Sequence, residues 1–171
     1  MVTPLRTILS AGLLAGVLDG IAAAAQAYLM RGMNPVNVFQ YVASGALGRS
    51  AFDGGWLTAG LGLVFHLAIA LSWAALFFFA YPSFSFLAKS RVLNGVGYGL
   101  FIWLTMNLLV VPMSRIPARP FVLQNIVTGM LILMVMVGMP IAFIVTKYYI
   151  RRQQGAHGKL LADTVRDRRV L

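Results

Sequence analysis

The stretch at residues 7–30, TILSAGLLAGVLDGIAAAAQAYLM, decides how the chain is read. It is long enough to cross a bilayer, for which about 20 apolar residues suffice. Yet it carries Asp19 near its centre and Gln26 further on. An ionisable side chain at that depth costs about 3 kcal/mol on insertion scales and more in simulation. A partner, a water-filled cavity or a functional role must offset that cost.

Three further apolar runs, at 56–80, 92–111 and 121–150, are also long enough to span. The fourth is long, which implies tilt, a bend at Pro140 or extension into the interface. The composition agrees with this reading. Of 171 residues, 60% are hydrophobic and 11% charged, against about 25% charged in soluble domains. One soluble core of this size could not bury so much apolar surface. The expected fold is all-α: a polytopic membrane protein with four transmembrane helices forming a four-helix bundle over residues 1–150. Residues 151–171 form a basic cytoplasmic tail.

The first run also has some anatomy of a secretory signal, with Arg6 ahead of it and Ala25-Gln26-Ala27 resembling a cleavage site. Asp19 interrupts the apolar core that such a signal requires.

Between the first two runs, Asn34-Pro35 reads as a capped helix start. Val36, Phe39, Val42, Ala43, Ala46 and Leu47 follow at helical spacing, and Gly48 suits the stop. This predicts an amphipathic helix lying on the membrane surface. After it, Ala51-Phe52-Asp53-Gly54-Gly55 bends into the second span, with Trp56 at the interface. A Pro-rich turn, 112–120, joins spans three and four.

The net charge of +10 comes from 14 Lys and Arg against 4 Asp and Glu. These basic residues flank the apolar runs, so the charge describes a membrane protein and not a nucleic-acid binder. Four spans put both termini on one side. Arg6, Lys89, Arg91, Lys147, Arg151, Arg152, Lys159, Arg166, Arg168 and Arg169 share it; Arg31, Arg49, Arg115 and Arg119 lie opposite. The bias places both termini in the cytoplasm of a cell with an inner (plasma) membrane. The tail is either a surface helix held to anionic lipid, at about 1 kcal/mol per basic residue, or a solvated extension.

Cysteine is absent, so no disulfide or thiolate metal site exists. His66 lies in an apolar run and His157 in the tail, and they form no metal motif. No phosphate-binding Gly-rich loop with its Lys, no His-Glu-x-x-His and no Gly-x-Ser-x-Gly is present. Asp19 and Asp53 are too far apart for a two-carboxylate mechanism. No enzyme and no cofactor are expected.

Polar residues at depth remain. Gly12, Gly16, Asp19, Ala23 and Gln26 fall on one face of the first span. Small residues let helices approach, so this face points inward. His66 on the second span lies at similar depth. Asn107 on the third and Asn125 on the fourth lie further out. Asp19, Gln26, His66, Asn107 and Asn125 therefore form a candidate ligand-binding or proton-linked cluster. The outer-face segment with Ser44, Arg49 and Asp53 covers it. Interhelical contacts among these residues would also serve a purely structural role, at about 0.6 kcal/mol each.

Tyr41-Val42-Ala43-Ser44-Gly45-Ala46-Leu47-Gly48, Ala51-Phe52-Asp53-Gly54-Gly55, Gly60-Leu61-Gly62-Leu63 and His66 resemble segments of small four-span bacterial inner-membrane proteins of uncharacterised function. Tyr98-Gly99-Leu100, Trp103, Met106-Asn107 and Val111-Pro112 are similar to the same group. The resemblance covers residues 7–150 and implies a fold and a membrane location, without a reaction. The functional expectation is an accessory or scaffold protein of a homo-oligomer or larger membrane complex, or a binder of a hydrophobic ligand. The alternative is a small oligomeric proton- or ion-coupled transporter using Asp19 and His66.

Overall fold

The computed structural model describes residues 3–83, 90–117 and 122–167, with side-chain surroundings through residue 155. Lys89, Arg119, Arg168 and Arg169 lie outside the described residues. So do the side chains of the tail from residue 156 onward, including His157, Lys159 and Arg166.

All described elements are helical. Helix α1 is Pro4–Arg31, α2 is Pro35–Leu47 and α3 is Gly55–Ala80. Helix α4 runs Arg91–Met113, and α5 runs through residues 123–167. Four helices are long and apolar enough to cross a membrane: Pro4–Arg31, Gly55–Ser83, Arg91–Met113 and Leu123–Gly155. The four expected runs thus coincide with four helices.

The helix ends follow capping chemistry. Thr3 Oγ1 accepts from Arg6 N at 3.3 Å, with Pro4 in the first turn. Asn34 Oδ1 accepts from Val36 N at 3.0 Å, again ahead of a proline. Ser90 Oγ accepts from Leu93 N at 3.3 Å at the start of α4. Gly32 ends α1 with φ +61°, the left-handed conformation that glycine adopts without strain.

Two helices widen into π turns, Met106–Val110 in α4 and Leu133–Gly138 in α5. Each precedes a proline within the same helix, Pro112 and Pro140. Proline supplies no N–H and its ring crowds the carbonyl four residues back. Those carbonyls belong to Leu108 and Met136, both inside the widened turns. The chain accommodates each proline by unwinding locally into a wider turn and continues. Helix α4 accordingly passes Pro112 instead of stopping before it.

Helices α1 and α3 run antiparallel. A Cβ on Gly12 would lie 2.8 Å from Leu71 Cα, one on Gly16 3.0 Å from Ala70 Cβ, and one on Gly20 3.4 Å from His66 Nε2. Helices α4 and α5 are also antiparallel, with Gly95 against Met139 and Gly99 against Met134. Gly138 is pressed against the Gly95 carbonyl, leaving no space for a side chain. Helix α1 also packs along α5.

The near half of the molecule, where α1 and α4 begin and α3 ends, holds the core. Ala11, Ala15, Phe77, Ile102, Ile141 and Val145 are buried there. Tyr98 Oη donates to Trp73 O at 2.6 Å, and Tyr149 Oη donates to Phe78 O at 3.0 Å. These bonds fasten α4 and α5 to α3. The far half is packed differently. No residue of α1 beyond Gly20, of α4 beyond Ile102, or of α5 ahead of Val137 is buried among the described residues.

Helix α2 covers the far half of α3. Its buried residues are Gln40, Ala43 and Ser44, while Ala46 and Leu47 are exposed. The packed face keeps Phe39 and Ala43 of the apolar face read from the sequence and adds Gln40 and Ser44. Gly62 makes the contact feasible, because a Cβ there would collide with the Phe39 carbonyl. Gln40 Nε2 donates to Gly55 O at 3.0 Å and to Thr58 Oγ1 at 3.3 Å, with Phe52 O at 3.5 Å. The buried polar group is thus satisfied by the start of α3. A 3₁₀ turn, Gly48–Phe52, links the two helices. Arg115 N donates to Gly45 O at 3.0 Å, seating the turn after α4 on the end of α2.

Candidate functional site

Asp19 and His66 meet. Their Oδ2 and Nε2 atoms are 3.9 Å apart, within ion-pair range and beyond hydrogen-bond length. His66 Nε2 lies 2.8 Å from Gly16 O. A carbonyl oxygen only accepts, so Nε2 carries a hydrogen and Nδ1 is the nitrogen that gains or loses a proton.

Local sequence explains the geometry. The row Gly12, Gly16, Gly20 lets α3 lie close enough for the imidazole to reach the α1 backbone. At Gly20 a Cβ would be 3.4 Å from His66 Nε2 and 3.7 Å from Phe39 Cζ. Phe39, from α2, meets the imidazole edge-on, with centroids 6.2 Å apart and an interplanar angle of 75°. Three helices thereby fix the ring.

The pair sits where close packing ends. Gly20, beside Asp19, is the last buried residue of α1 among the described residues. The side chains of His66 and Asp19 keep 15% and 19% of their surface open. No other ion pair with Asp19 or His66 is found among the described residues. A carboxylate has about four acceptor sites, and the one N–H facing Asp19 is already given to Gly16.

The remaining predicted residues are dispersed. Gln26 is half-buried in the far half of α1. Asn107 is exposed within the α4 π turn and donates from Nδ2 to Trp103 O at 2.9 Å. Asn125 is half-buried in the first turn of α5. No hydrogen bond joins any of these amides to Asp19 or His66 among the described residues. Ser44 is fully buried and donates to Tyr41 O at 2.7 Å. Arg49 and Asp53 are exposed beyond it. Among the described residues, no group of three or more His, Cys, Asp or Glu side chains is gathered as a metal site would require.

Gly20 and Gln40 belong to the site and its support but are not singled out in the sequence, whereas Phe39 and Gly62 are read there only as parts of a helix face and a motif. Their signals existed. Gly20 continues the i+4 glycine row, and Gln40, Ala43 and Ser44 form a small-plus-polar face like those on the spans.

No protein-family model, curated protein or solved structure matches the sequence. The functional reading therefore rests on the Asp19–His66 geometry and its surroundings.

Proposed function

We propose that the protein is a multi-pass inner-membrane protein, without enzymatic activity, that binds a hydrophobic small molecule in its far half. Both termini are cytoplasmic in this reading, supported by ten Lys and Arg on their side against four on the other. The resemblance to small bacterial inner-membrane proteins agrees with it.

One observation carries the binding reading. An acid and an imidazole lie 3.9 Å apart, both partly open, at the boundary between the packed near half and the less packed far half. Such a group facing lipid tails is unfavourable. A ligand with an apolar body and a polar head would cover it. A second reading, proton- or ion-coupled transport by an oligomer, draws on the same acid–imidazole pair.

The test is native mass spectrometry of the protein released from its own membranes. The expected result is a co-purifying small molecule on the natural protein that is depleted in Asp19→Asn. An empty natural protein, or equal occupancy in the variant, contradicts the proposal.

A further inference from the structure

The distribution of charge around the pair narrows the ligand class. On α1 the other charged groups, Arg6 and Arg31, stand near its two ends. Helix α2 has Tyr41 as its one titratable side chain, and α3 has His66. The far halves of α4 and α5, residues 103–113 and 123–138, contain no titratable residue. Arg49 and Arg115 stand on the connectors after α2 and α4, and His66 is the one cationic partner within ion-pair distance of Asp19 among the described residues. When His66 is neutral, the carboxylate lies uncompensated in a weakly polarisable medium, where its attraction for a cation is strong. When Nδ1 is protonated, the imidazolium supplies that charge from 3.9 Å away.

Resting on the ligand-binding reading above, we infer that the site takes a lipophilic cation, whose charged head is held by Asp19 in exchange for a proton on His66 Nδ1. The geometry suits the exchange. The Nε2–H bond to Gly16 O needs no change in the proton on Nδ1, so the ring is held whether or not Nδ1 carries one. Cation and imidazolium then compete to compensate one carboxylate, and where His66 starts out protonated one proton leaves Nδ1 for each cation bound.

The experiment is calorimetric titration of the purified full chain in detergent with tetraphenylphosphonium, alongside a neutral quinone of similar bulk. The titration is repeated from about pH 5 to 8. The expected result is cation binding that weakens by about tenfold per pH unit on the acid side of the titration, as one displaced proton requires. Asp19→Asn loses at least about tenfold in cation affinity and keeps its affinity for any neutral probe. In His66→Gln, whose amide still has an N–H for Gly16 O, the cation binds without pH dependence.

Neutral-probe binding without cation binding overturns the cation assignment and leaves the binding reading intact. Binding of neither probe contradicts both. PH dependence that survives in His66→Gln overturns the exchange at His66. If Asp19→Asn does not assemble, the cation–neutral comparison on the natural protein and the His66→Gln titration decide the matter by themselves.

Discussion

His66 of α3 reaches across to the backbone of α1, giving its Nε2–H to Gly16 O at 2.8 Å while Asp19 lies 3.9 Å from the same nitrogen. A side chain bonded to a glycine carbonyl on a neighbouring helix fixes the register of the two helices. It also leaves the other ring nitrogen as the ring's acceptor. The structural and functional roles of His66 are therefore separable by substitution. His66→Gln retains a donor and is expected to keep thermal stability within about 1 kcal/mol. His66→Leu removes the donor and is expected to lower it further, as read by unfolding in detergent.

The seat of α2 on α3 depends on Gly62. A methyl group there would collide with the Phe39 carbonyl, whereas Gly60 has nothing within 4 Å. Gly62→Ala is expected to cost about 1–3 kcal/mol through overpacking. Gly60→Ala is expected to be neutral or slightly stabilising, since alanine is the better helix former. Paired melting curves of the two variants check this directly.

Gln40 fastens the 3₁₀ turn and the start of α3 to α2. Gln40→Leu leaves the Gly55 carbonyl and Thr58 hydroxyl short of a donor, a loss of about 1–3 kcal/mol. The effect should concentrate locally. Amide exchange at residues 48–58 is expected to accelerate, while exchange across the near-half core stays as in the natural protein.

Tyr98 and Tyr149 tie α4 and α5 to α3 through separate carbonyls, Trp73 O and Phe78 O. Each Tyr→Phe substitution keeps the ring packing and removes one hydrogen bond. The expected loss is about 0.6 kcal/mol apiece. The two bonds involve different donors and acceptors, so the double variant is expected to show the sum within about 0.5 kcal/mol.

The helices were legible in the sequence because apolar run length and flanking charge report them directly. The proximity of Asp19 and His66 followed from their similar depth along two consecutive runs. The position of α2 did not follow. Its apolar residues were visible, Phe39 and Ala43 among them, but the burial of Gln40 and Ser44 beside them was not, because the acceptors for Gln40 come from the start of α3. Pairing between segments far apart in the chain leaves only small-residue rows as a trace, and Gly62 gives no sign of which carbonyl it receives. The π turns were hidden for a related reason. Pro112 and Pro140 announce a disturbed helix, but whether it kinks, stops or widens depends on what the neighbouring helix presents.

Orientation is open to a simple check, because the chain contains no cysteine. Asp53→Cys and Gln154→Cys place single thiols at exposed positions toward opposite ends of the spans. In intact cells, a membrane-impermeant maleimide is expected to label position 53, and position 154 only after permeabilisation. The reverse pattern would contradict cytoplasmic termini.

Close packing of α1 ends at Gly20, which leaves the Asp19–His66 site open toward the far half and closed toward the near half. Ala23 lies one turn beyond Asp19 and is half-buried, whereas Ala15 lies one turn before it and is fully buried. The decisive measurement is the labelling rate of Ala23→Cys and Ala15→Cys by a small water-soluble thiol reagent in native membranes. The expected result is reaction at position 23 from the far side, slowed by a bound ligand, and no reaction at position 15. An inert position 23, or equal labelling at both, would contradict it.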